Sequence, residues 1–332
     1  MKLAQLYKLD SQHYLVDTDT RKIRQNTIFF ALKGDNFNGN KFAEKAIENG
    51  ALYSIVDEKE YVTSDKIILV DDVLQTLQAL ANYHRKQLNI PIIALTGSNG
   101  KTTTKELINT VLNQKFKTTA TVGNLNNHIG VPLTLLSMTP ETEIGIVEMG
   151  ANHHKEIELL SSIIEPDYGY ITNFGKAHLE GFGSVEGVVE AKSELYDYLK
   201  KNDKIAFLNP QDAIQVEKTK DINCIVFDES ISLLDVNPFV KLQYKSTKVQ
   251  SNLIGEYNYS NISAAITIGQ YFNISDTKIK LAIENYVPQN NRSQIIEKVP
   301  SWHSLKKAES NKVVQSMHIW LILVPVIAKS MS

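Results

Sequence analysis

The sequence predicts an α/β fold, in which a small α/β domain precedes a mostly parallel sheet with helices on both faces. Three observations lead to this fold class. The chain has 332 residues, enough for about two domains of ordinary size. Short runs of β-branched and apolar residues alternate with stretches of helical periodicity, and a glycine-rich turn joins one such run to one such stretch. Strands and helices that alternate at this length favour a parallel sheet covered on both sides.

The predicted N-terminal domain covers residues 1–88. Its helical stretch ends at Gly50, where a left-handed cap fits. The Asn-Ile-Pro sequence at 89–91 ends the domain, because a residue before proline is disfavoured in helical geometry. In order, the predicted elements are a strand at 23–32, a helix at 40–50, a strand at 51–57 and a helix at 73–88.

The predicted central domain covers residues 91–298. Its strand-like runs are apolar and β-branched, which is typical of strands buried in a parallel sheet. Strands are predicted at 92–96, 143–150, 168–174, 204–209 and 223–228, and helices at 101–114, 155–163 and 185–199.

The composition is that of a globular protein with little charge bias. Hydrophobic residues make up 42% of the chain and charged residues 22%, and the formal net charge is -2. This balance argues against long disordered segments and against a basic surface for nucleic acid. The single cysteine, Cys224, has no disulfide partner in the sequence, so we expect a cytoplasmic location. No secretory signal is visible, and the longest apolar run, 318–328, is shorter than the roughly 20 residues that span a membrane.

The strongest local signal is the turn between the strand at 92–96 and the helix at 101–114. Glycines let successive N–H groups surround a phosphate, the helix N-terminus adds its positive end, and a lysine supplies a mobile charge. Leu95 stands where the eight-residue phosphate loop has its first glycine, so the match is to a shorter variant, and an ordinary glycine-rich turn is the alternative. Thr102 is a candidate magnesium ligand. The candidate phosphate-binding residues are Gly97, Ser98, Asn99, Gly100, Lys101, Thr102 and Thr103.

Five further polar residues are candidates, each with a simpler alternative. Glu148 ends an apolar strand, where ligands bind in open α/β sheets, and is either a magnesium ligand or a solvated carboxylate. His178 follows the next strand and is either a ligand of the same site or an ordinary histidine. Lys192 lies among carboxylates on a helix, a pattern typical of a solvent-exposed charged face. Asn258 and Asn261 either share a helix face or cap the helix start.

Taken in order, four segments resemble the Mur ligase family, and within it the MurF-type branch. The likeness covers roughly residues 15–298. It implies an ATP-dependent ligase that joins D-alanyl-D-alanine to UDP-N-acetylmuramoyl-tripeptide through an acyl phosphate, in peptidoglycan precursor synthesis, with ATP and Mg²⁺ as cofactors. The segments are Asp19-Thr20-Arg21 with FFALKGDNFNGNKF, TGSNGKTTTKE, GNLNNHIGVPLTLL, and EMGANHHKEI with ITNFGKAHLEGFGSVEGVVEAKSEL.

The resemblance also implies roles for individual residues. Lys101 and Thr102 act on the phosphates and their magnesium ion. Glu148 and His178 are similar to ligands of a second magnesium ion, and Lys192 to the lysine that is carbamylated in relatives. Residues on the ATP side are Asn258, Asn261 and Arg292, and residues on the UDP-sugar substrate side are Asp19, Thr20, Arg21, Lys33, Gly34, Asn126 and Asn127.

The sequence departs from the family pattern in several places. Asn38 and Asn40 replace a usual aspartate and histidine, Asn291 replaces a glycine, and Tyr257 replaces a frequent histidine. After residue 298 the pattern is lost. We therefore expect a third, Rossmann-like domain to be missing, with an aberrant tail at 299–332 in its place, produced by a frameshift, and ligation to be impaired.

Two alternatives to this function remain. One is a non-catalytic remnant that binds nucleotide or UDP-sugar, and the other is a diaminopimelate-adding, lysine-adding or folylpolyglutamate-type ligase. The segments at 123–136 and 148–153 argue against the second. We expect a monomer that acts on small-molecule substrates, with no nucleic-acid partner and no membrane span.

Overall fold

The computed structural model describes residues 3–175 and 179–288, all within one compact unit of the chain. Within these residues, the strands form a parallel sheet of four, a parallel sheet of six and two smaller antiparallel sheets. No helix in this part of the chain is long and apolar enough to cross a membrane. His178, Arg292 and the tail expected at 299–332 lie outside the described residues.

The N-terminal part is organised around the four-stranded sheet. Its elements are α1 (Leu3–Asp10), β1 (Val16–Asp17), β2 (Ile28–Phe30), β3 (Lys33–Gly34), β4 (Phe37–Asn38), α2 (Ala43–Glu48), β5 (Tyr53–Val56), β6 (Ile67–Leu69) and α3 (Val73–Leu88). The parallel strands follow the order β1-β2-β5-β6, and β3 and β4 form a short hairpin. Gly50 follows α2 with a φ of +110°, which is a backbone conformation that favours glycine.

Helix α3 begins and ends where the sequence predicts. Asp72 caps its N-terminus by accepting a 2.7 Å hydrogen bond from the backbone amide of Gln75. Asn89 ends it in the left-handed conformation, with a φ of 49°. Leu77 and Leu80 on its buried face belong to a core that includes strands of both parallel sheets.

The central part is organised around the six-stranded sheet. Its elements are β7 (Ile92–Thr96), α4 (Lys101–Leu112), β8 (Thr118–Ala120), α5 (Gly130–Leu136), β9 (Ile144–Glu148), α6 (Glu156–Ile164), β10 (Tyr168–Ile171), α7 (Leu179–Phe182), α8 (Val185–Lys201), β11 (Ile205–Leu208), α9 (Ala213–Lys218) and β12 (Asn223–Val226). The strands are all parallel and follow the order β12-β11-β10-β7-β9-β8. The predicted strands are present here, and β8 is an additional one.

An antiparallel sheet that the sequence analysis did not predict follows the central strands. The remaining elements are β13 (Ser232–Asp235), β14 (Lys241–Tyr244), β15 (Thr247–Gln250), α10 (Asn258–Tyr271) and α11 (Asp276–Asn285). Lys245 and Ser246 form the turn between β14 and β15, and Lys245 has a φ of 50°. Such turns are usually marked by Asn-Gly or Asp-Gly, so this hairpin has a weak sequence signal.

Helices cover both faces of the six-stranded sheet, as predicted. Along β7, Ile92 and Ala94 belong to a core formed with α3, α5, α6 and α8, whereas Ile93 and Leu95 belong to a core formed with α4, α10 and α11. Full burial of a side chain such as Ile or Leu stabilises the fold by about 1.5–3 kcal/mol. This alternation therefore holds β7 and the turn that follows it in the middle of the sheet.

Candidate functional site

The glycine-rich turn lies where the order of the central strands reverses. From β7 the chain crosses to β8 and β9 on one side, and then returns to β10, β11 and β12 on the other. In open α/β sheets, ligands bind at the carboxyl ends of the strands at such a point. Residues 97–100 occupy this position, between the end of β7 and the start of α4.

Two glycines allow the turn to approach its neighbours closely. Gly97 has a φ of +142°, and a Cβ there would lie 2.0 Å from Oγ1 of Thr172. Gly100 has a φ of +78°, and a Cβ there would lie 2.8 Å from Oδ1 of Asn261. Other residues rarely adopt these φ values, and both distances are shorter than a normal contact. Glycine is therefore the residue that fits both positions without rearrangement.

The end of β10 holds the turn in place through hydrogen bonds. The backbone amide of Ser98 donates to the carbonyl of Asn173 at 3.0 Å, and the Ser98 hydroxyl donates to the carbonyl of Gly175 at 2.7 Å. The Thr172 hydroxyl donates to the carbonyl of Asn99 at 2.6 Å. The turn leads directly into α4, whose N-terminus carries the positive end of the helix dipole. An anionic group would therefore be stabilised here.

Lys101 lies against the same turn. Its ammonium group donates hydrogen bonds to the carbonyls of Gly97 at 2.6 Å and Ser98 at 3.2 Å. Because lysine carries its charge on a flexible stem, this ammonium can exchange a carbonyl contact for a phosphate oxygen. The structure thus brings the predicted lysine to the predicted turn.

Glu148 ends β9 directly beside Leu95 of β7 and is 1% exposed. Its Oε1 accepts a 2.9 Å hydrogen bond from Nδ2 of Asn126 and a 3.3 Å hydrogen bond from the Thr102 hydroxyl. Its Oε2 is buried and accepts no hydrogen bond from any residue that the structure describes. The interpretation of Glu148 as a solvated carboxylate is therefore wrong. A buried, half-satisfied carboxylate is costly, and a bound cation removes that cost.

The turn, the start of α4 and Glu148 line one cavity of about 840 Å³. Three cavity residues were not singled out as site residues: Gly123, Asn124 and Tyr257. Gly123 and Asn124 lie on the loop after β8, a strand that the sequence analysis missed. The Tyr257 side chain is 64% exposed at this cavity, and its only sequence signal was the departure from the family's histidine.

The oxygen donors of this cavity fit a magnesium ion. Mg²⁺ prefers oxygen ligands and usually takes one or two protein carboxylates, with water and phosphate completing its shell. Glu148 supplies a carboxylate oxygen that accepts no hydrogen bond within the described part of the chain, and Thr102 supplies a hydroxyl. Residues 3–175 and 179–288 contain no group of three His, Cys, Asp or Glu side chains that could hold a metal. His178, the other predicted ligand, lies outside this range.

Lys192, on α8, is 1% exposed, so the expectation of a solvent-exposed charged face is wrong. Its Nζ donates a 3.3 Å hydrogen bond to the carbonyl of Ala151 and lies 5.1 Å from the centroid of the Phe182 ring. Burial, together with repulsion from Lys101, lowers the pKa of Lys192 to about 8. A sizeable fraction of this amine is therefore neutral near physiological pH, and the neutral form is the nucleophilic one.

Asn258 and Asn261 lie on the first turn of α10, and both side chains are buried. Nδ2 of Asn261 donates to Oδ1 of Asn258 at 2.8 Å, and Nδ2 of Asn258 donates to the carbonyl of Ile254 at 2.8 Å. The Thr104 hydroxyl donates to Oδ1 of Asn261 at 3.0 Å, which joins α10 to α4. Tyr257 occupies the N-cap position of α10, so neither asparagine does. The shared helix face is confirmed, and a contact with ATP stays a prediction.

Asn126 and Asn127 have different surroundings. The Asn126 side chain contacts Glu148 inside the cavity, and its carbonyl accepts a 2.7 Å hydrogen bond from the amide of Gly150. Oδ1 of Asn127 accepts hydrogen bonds from the amides of Ile129 and Gly130, at the start of α5. The structure thus places Asn126 in the cavity beside Glu148, while the Asn127 side chain orders the first turn of a helix.

Asp19, Thr20 and Arg21 follow β1 at the carboxyl edge of the four-stranded sheet. The Arg21 guanidinium donates to both oxygens of Asp19, at 2.9 Å from Nε and 2.7 Å from Nη2. These hydrogen bonds lower the pKa of Asp19 to about 2, so the pair is ionised at neutral pH. The carbonyl of Thr20 accepts a 3.1 Å hydrogen bond from Nδ2 of Asn49.

Lys33 and Gly34 form the exposed strand β3 at the same edge. The Lys33 ammonium lies 3.0 Å from Oδ1 of Asp57, at the end of β5. Nδ2 of Asn40 donates to the same Asp57 oxygen at 2.9 Å and to Oδ1 of Asn38 at 3.0 Å. Both groups of polar residues therefore follow the carboxyl ends of neighbouring parallel strands of the four-stranded sheet.

The fold and the site define a class of protein: parallel α/β proteins with a glycine-rich turn where the strand order reverses and a buried carboxylate at the end of the adjacent strand. Residues 13–94 match the profile described as Mur ligase family, catalytic domain, and residues 95–269 match the profile described as Mur ligase middle domain. The chain belongs to the Mur ligase family.

Individual relatives give a more specific likeness. The chain is 38% identical over 270 residues to the UDP-N-acetylmuramoyl-tripeptide--D-alanyl-D-alanine ligase of Bacillus subtilis, a match that covers 78% of this chain and 59% of the relative. A crystal structure of MurF from Acinetobacter baumannii has a TM-score of 0.78 at 30% identity and covers 90% of this chain and 71% of that one. MurF from Thermotoga maritima in complex with ADP has a TM-score of 0.75 at 28% identity, with 90% and 70% covered. The chain thus spans about three fifths of the Bacillus protein.

Proposed function

We propose that the chain takes part in the ATP-dependent ligation of D-alanyl-D-alanine to UDP-N-acetylmuramoyl-tripeptide, a step in peptidoglycan precursor synthesis. The observation that carries this proposal is Oε2 of Glu148, which accepts no hydrogen bond from residues 3–175 or 179–288 and belongs to a buried side chain beside the glycine-rich turn and the N-terminus of α4. This arrangement suits a nucleotide phosphate and its cation. The likeness to MurF-type ligases supplies the rest of the reaction.

The proposed reaction has two steps. A carboxylate oxygen of the tripeptide attacks the γ-phosphorus of ATP, a new P–O bond forms, and ADP leaves with the oxygen that bridged its β- and γ-phosphorus atoms. The amine nitrogen of D-alanyl-D-alanine then attacks the acyl carbon, the C–N bond forms, phosphate leaves, and the amine proton goes to solvent. Neither step needs a covalent bond to the protein, so catalysis rests on position and charge.

The residues at the turn have matching tasks. The backbone of residues 97–103 and the N-terminus of α4 hold the phosphates, and Lys101 offsets the negative charge that they carry. Thr102, Glu148 and, by the resemblance, His178 would hold magnesium, which neutralises charge on the phosphate oxygens. Lys192, neutral in part, would react with carbon dioxide to give a carbamate, an additional oxygen ligand.

We assign ATP to the cavity beside the glycine-rich turn and the UDP-sugar to the carboxyl edge of the four-stranded sheet. Tyr257, Asn258, Asn261 and Arg292 are proposed for the nucleoside and phosphate side of ATP, where the exposed Tyr257 ring offers a stacking surface. Asn126, which lines the cavity, and, by the resemblance, Asn127 are proposed for the substrate side of the acyl-transfer site. The UDP-sugar is proposed to bind Asp19, Thr20, Arg21, Lys33 and Gly34.

Calorimetric titration of ADP with Mg²⁺ tests the nucleotide site, and a coupled assay of phosphate and pentapeptide product tests the ligation. We expect the unaltered chain to bind ADP. The Lys101→Met variant should bind ADP at least about tenfold more weakly, because a phosphate contact is lost. The matched control is Lys117→Met, which removes an exposed lysine paired with Glu141. ADP binding without product, with all substrates present, favours the non-catalytic remnant. No ADP binding by the unaltered chain contradicts the nucleotide site itself.

A further inference from the structure

A buried lysine with no assigned part in the reaction lies one helical turn beyond Lys101. Lys105 on α4 is 4% exposed, and its Nζ donates a 2.7 Å hydrogen bond to the carbonyl of Thr121. Thr121 is also buried, and its hydroxyl oxygen accepts a 3.0 Å hydrogen bond from the backbone amide of Glu148. A single residue therefore connects the Lys105 ammonium to the strand end that carries the candidate metal ligand.

Glu106, the next residue along α4, connects the Lys105 ammonium to the end of α11. Oε1 of Glu106 lies 3.7 Å from the Lys105 ammonium. Oε2 of Glu106 accepts a 2.6 Å hydrogen bond from the hydroxyl of Tyr286, the C-cap residue that follows α11. Burial and the Glu106 contact raise the pKa of Tyr286, so its hydroxyl keeps the proton that it donates.

We propose that Lys105 and Glu106 are positioning residues, which hold the backbone around Glu148 in place without contacting the ligand. Through Thr121, Lys105 sets the position of the Glu148 backbone and of the loop that carries Asn126. Glu106, which is held by the Tyr286 hydroxyl, keeps a carboxylate beside the Lys105 ammonium. The proposal rests on the proposed function, because it assigns what aligns the cation-binding carboxylate with the phosphate turn.

The chemistry of burial supports a specific role for this lysine. An ammonium group loses its hydration when it is buried, and it is retained in a core where it gains hydrogen bonds or an ion pair. Lys105 has both, with a carbonyl at 2.7 Å and a carboxylate at 3.7 Å. Its removal leaves the buried carbonyl of Thr121 without that donor. The carbonyl belongs to the residue next to Val122, at the start of the loop that runs to Asn126.

The test compares Lys105→Met, Lys105→Arg and a control, Lys278→Met, in the full chain. Lys278 also donates to a backbone carbonyl of the α4 region, that of Gln114 at 2.9 Å, but at the exposed far end. Hydrogen exchange of residues 118–126 reports the position of the loop, and titration with ADP and Mg²⁺ reports the site. We expect Lys105→Met to speed exchange and to weaken Mg²⁺-dependent ADP binding by about tenfold or more, as loss of a supporting partner does at metal sites. Lys105→Arg restores most of both, and Lys278→Met changes neither.

A second variant covers the case in which Lys105→Met does not fold. Tyr286→Phe keeps the ring and removes the hydrogen bond to Glu106, and we expect a smaller change of the same sign in ADP binding. The proposal is overturned if both variants fold and neither differs from the unaltered chain in exchange or in ADP binding. If Lys105→Met does not fold, the same result in Tyr286→Phe alone overturns it. If the unaltered chain binds no ADP, the proposed function fails, while the exchange of residues 118–126 in the folded variants still decides whether the positioning contacts exist.

Discussion

The hydroxyl of Thr102 lies 3.3 Å from Oε1 of Glu148, which joins the first turn of α4 to the end of β9. The two residues are 46 positions apart in sequence. They meet because β7 and β9 are parallel neighbours that end at the same edge of the sheet. One oxygen of the carboxylate therefore accepts hydrogen bonds from Thr102 and Asn126, while the other accepts none from the residues that the structure describes, and Glu148 lines the cavity beside the glycine-rich turn.

Glu148→Gln is expected to remove most of the magnesium dependence of ADP binding. The substitution keeps the shape and the acceptor for Asn126 but removes the charge that attracts a cation. Calorimetric titration should show ADP affinity with Mg²⁺ falling by about tenfold or more, and affinity without Mg²⁺ changing little. The control is Glu141→Gln, whose side chain is 77% exposed. An equal magnesium effect in Glu148→Gln and in the unaltered chain would contradict the site.

Gly97→Ala is expected to destabilise the protein as well as the turn. A Cβ at this position would lie 2.0 Å from Oγ1 of Thr172, and the φ of +142° is unfavourable for alanine. We expect a loss of about 2–4 kcal/mol in the free energy of unfolding, measured by chemical denaturation. Gly34→Ala is the matched control, because a Cβ there meets nothing within 4 Å. Similar stabilities for the two variants would show that the turn is not held in this conformation.

Lys192 is expected to react with carbon dioxide more readily than an exposed lysine. Burial lowers its pKa to about 8, so its neutral fraction rises as the pH increases through that value. With ¹³C-labelled bicarbonate, NMR should show a carbamate signal that is stronger near pH 8 than near pH 6 and that is lost in Lys192→Met. Lys200→Met, which removes an exposed lysine paired with Asp221, should keep the signal. A signal that survives Lys192→Met would assign the carbamate to another amine.

The sequence was sufficient for the parts of the site that depend on local order along the chain. A strand, a glycine-rich turn and a helix in succession predicted the turn between β7 and α4, and an acidic residue at the end of an apolar strand predicted the position of Glu148. Both predictions follow from the geometry of parallel sheets, in which strand ends converge. The alternation of strand and helix predicted the central sheet for the same reason.

Features that depend on tertiary packing were not predictable from the sequence. Lys192 lies among carboxylates at helical spacing, and that pattern does not reveal whether the helix face is covered by other elements. Lys105 shows no feature that distinguishes it from a surface lysine of an amphipathic helix. Its burial depends on Thr121, a residue that follows an unpredicted strand. The β14–β15 hairpin was missed because its turn contains lysine and serine in place of the usual residues.

Asp10, at the end of α1, has an unusual environment for a carboxylate. It is 1% exposed, and neither of its oxygens accepts a hydrogen bond from a side chain or backbone group among residues 3–175 and 179–288. Burial raises the pKa of Asp10 to about 7. In the unfolded chain the same group titrates near a pKa of about 3.9, so between roughly pH 4 and pH 7 the folded state retains a proton that the unfolded state has lost.

Asp10→Asn is therefore expected to change the pH dependence of stability. The contribution of the protonated Asp10 is fully present below about pH 4, declines as the pH rises, and is lost above about pH 7. Asparagine stays neutral, so the variant should match the unaltered chain near pH 4 and exceed it by about 2–4 kcal/mol in the free energy of unfolding near pH 8. Urea denaturation at both pH values measures this difference, with the exposed Asp71→Asn as the control. A constant difference between Asp10→Asn and the unaltered chain across this range would mean that Asp10 is ionised in the folded protein, and a partner cation would then have to lie beside α1.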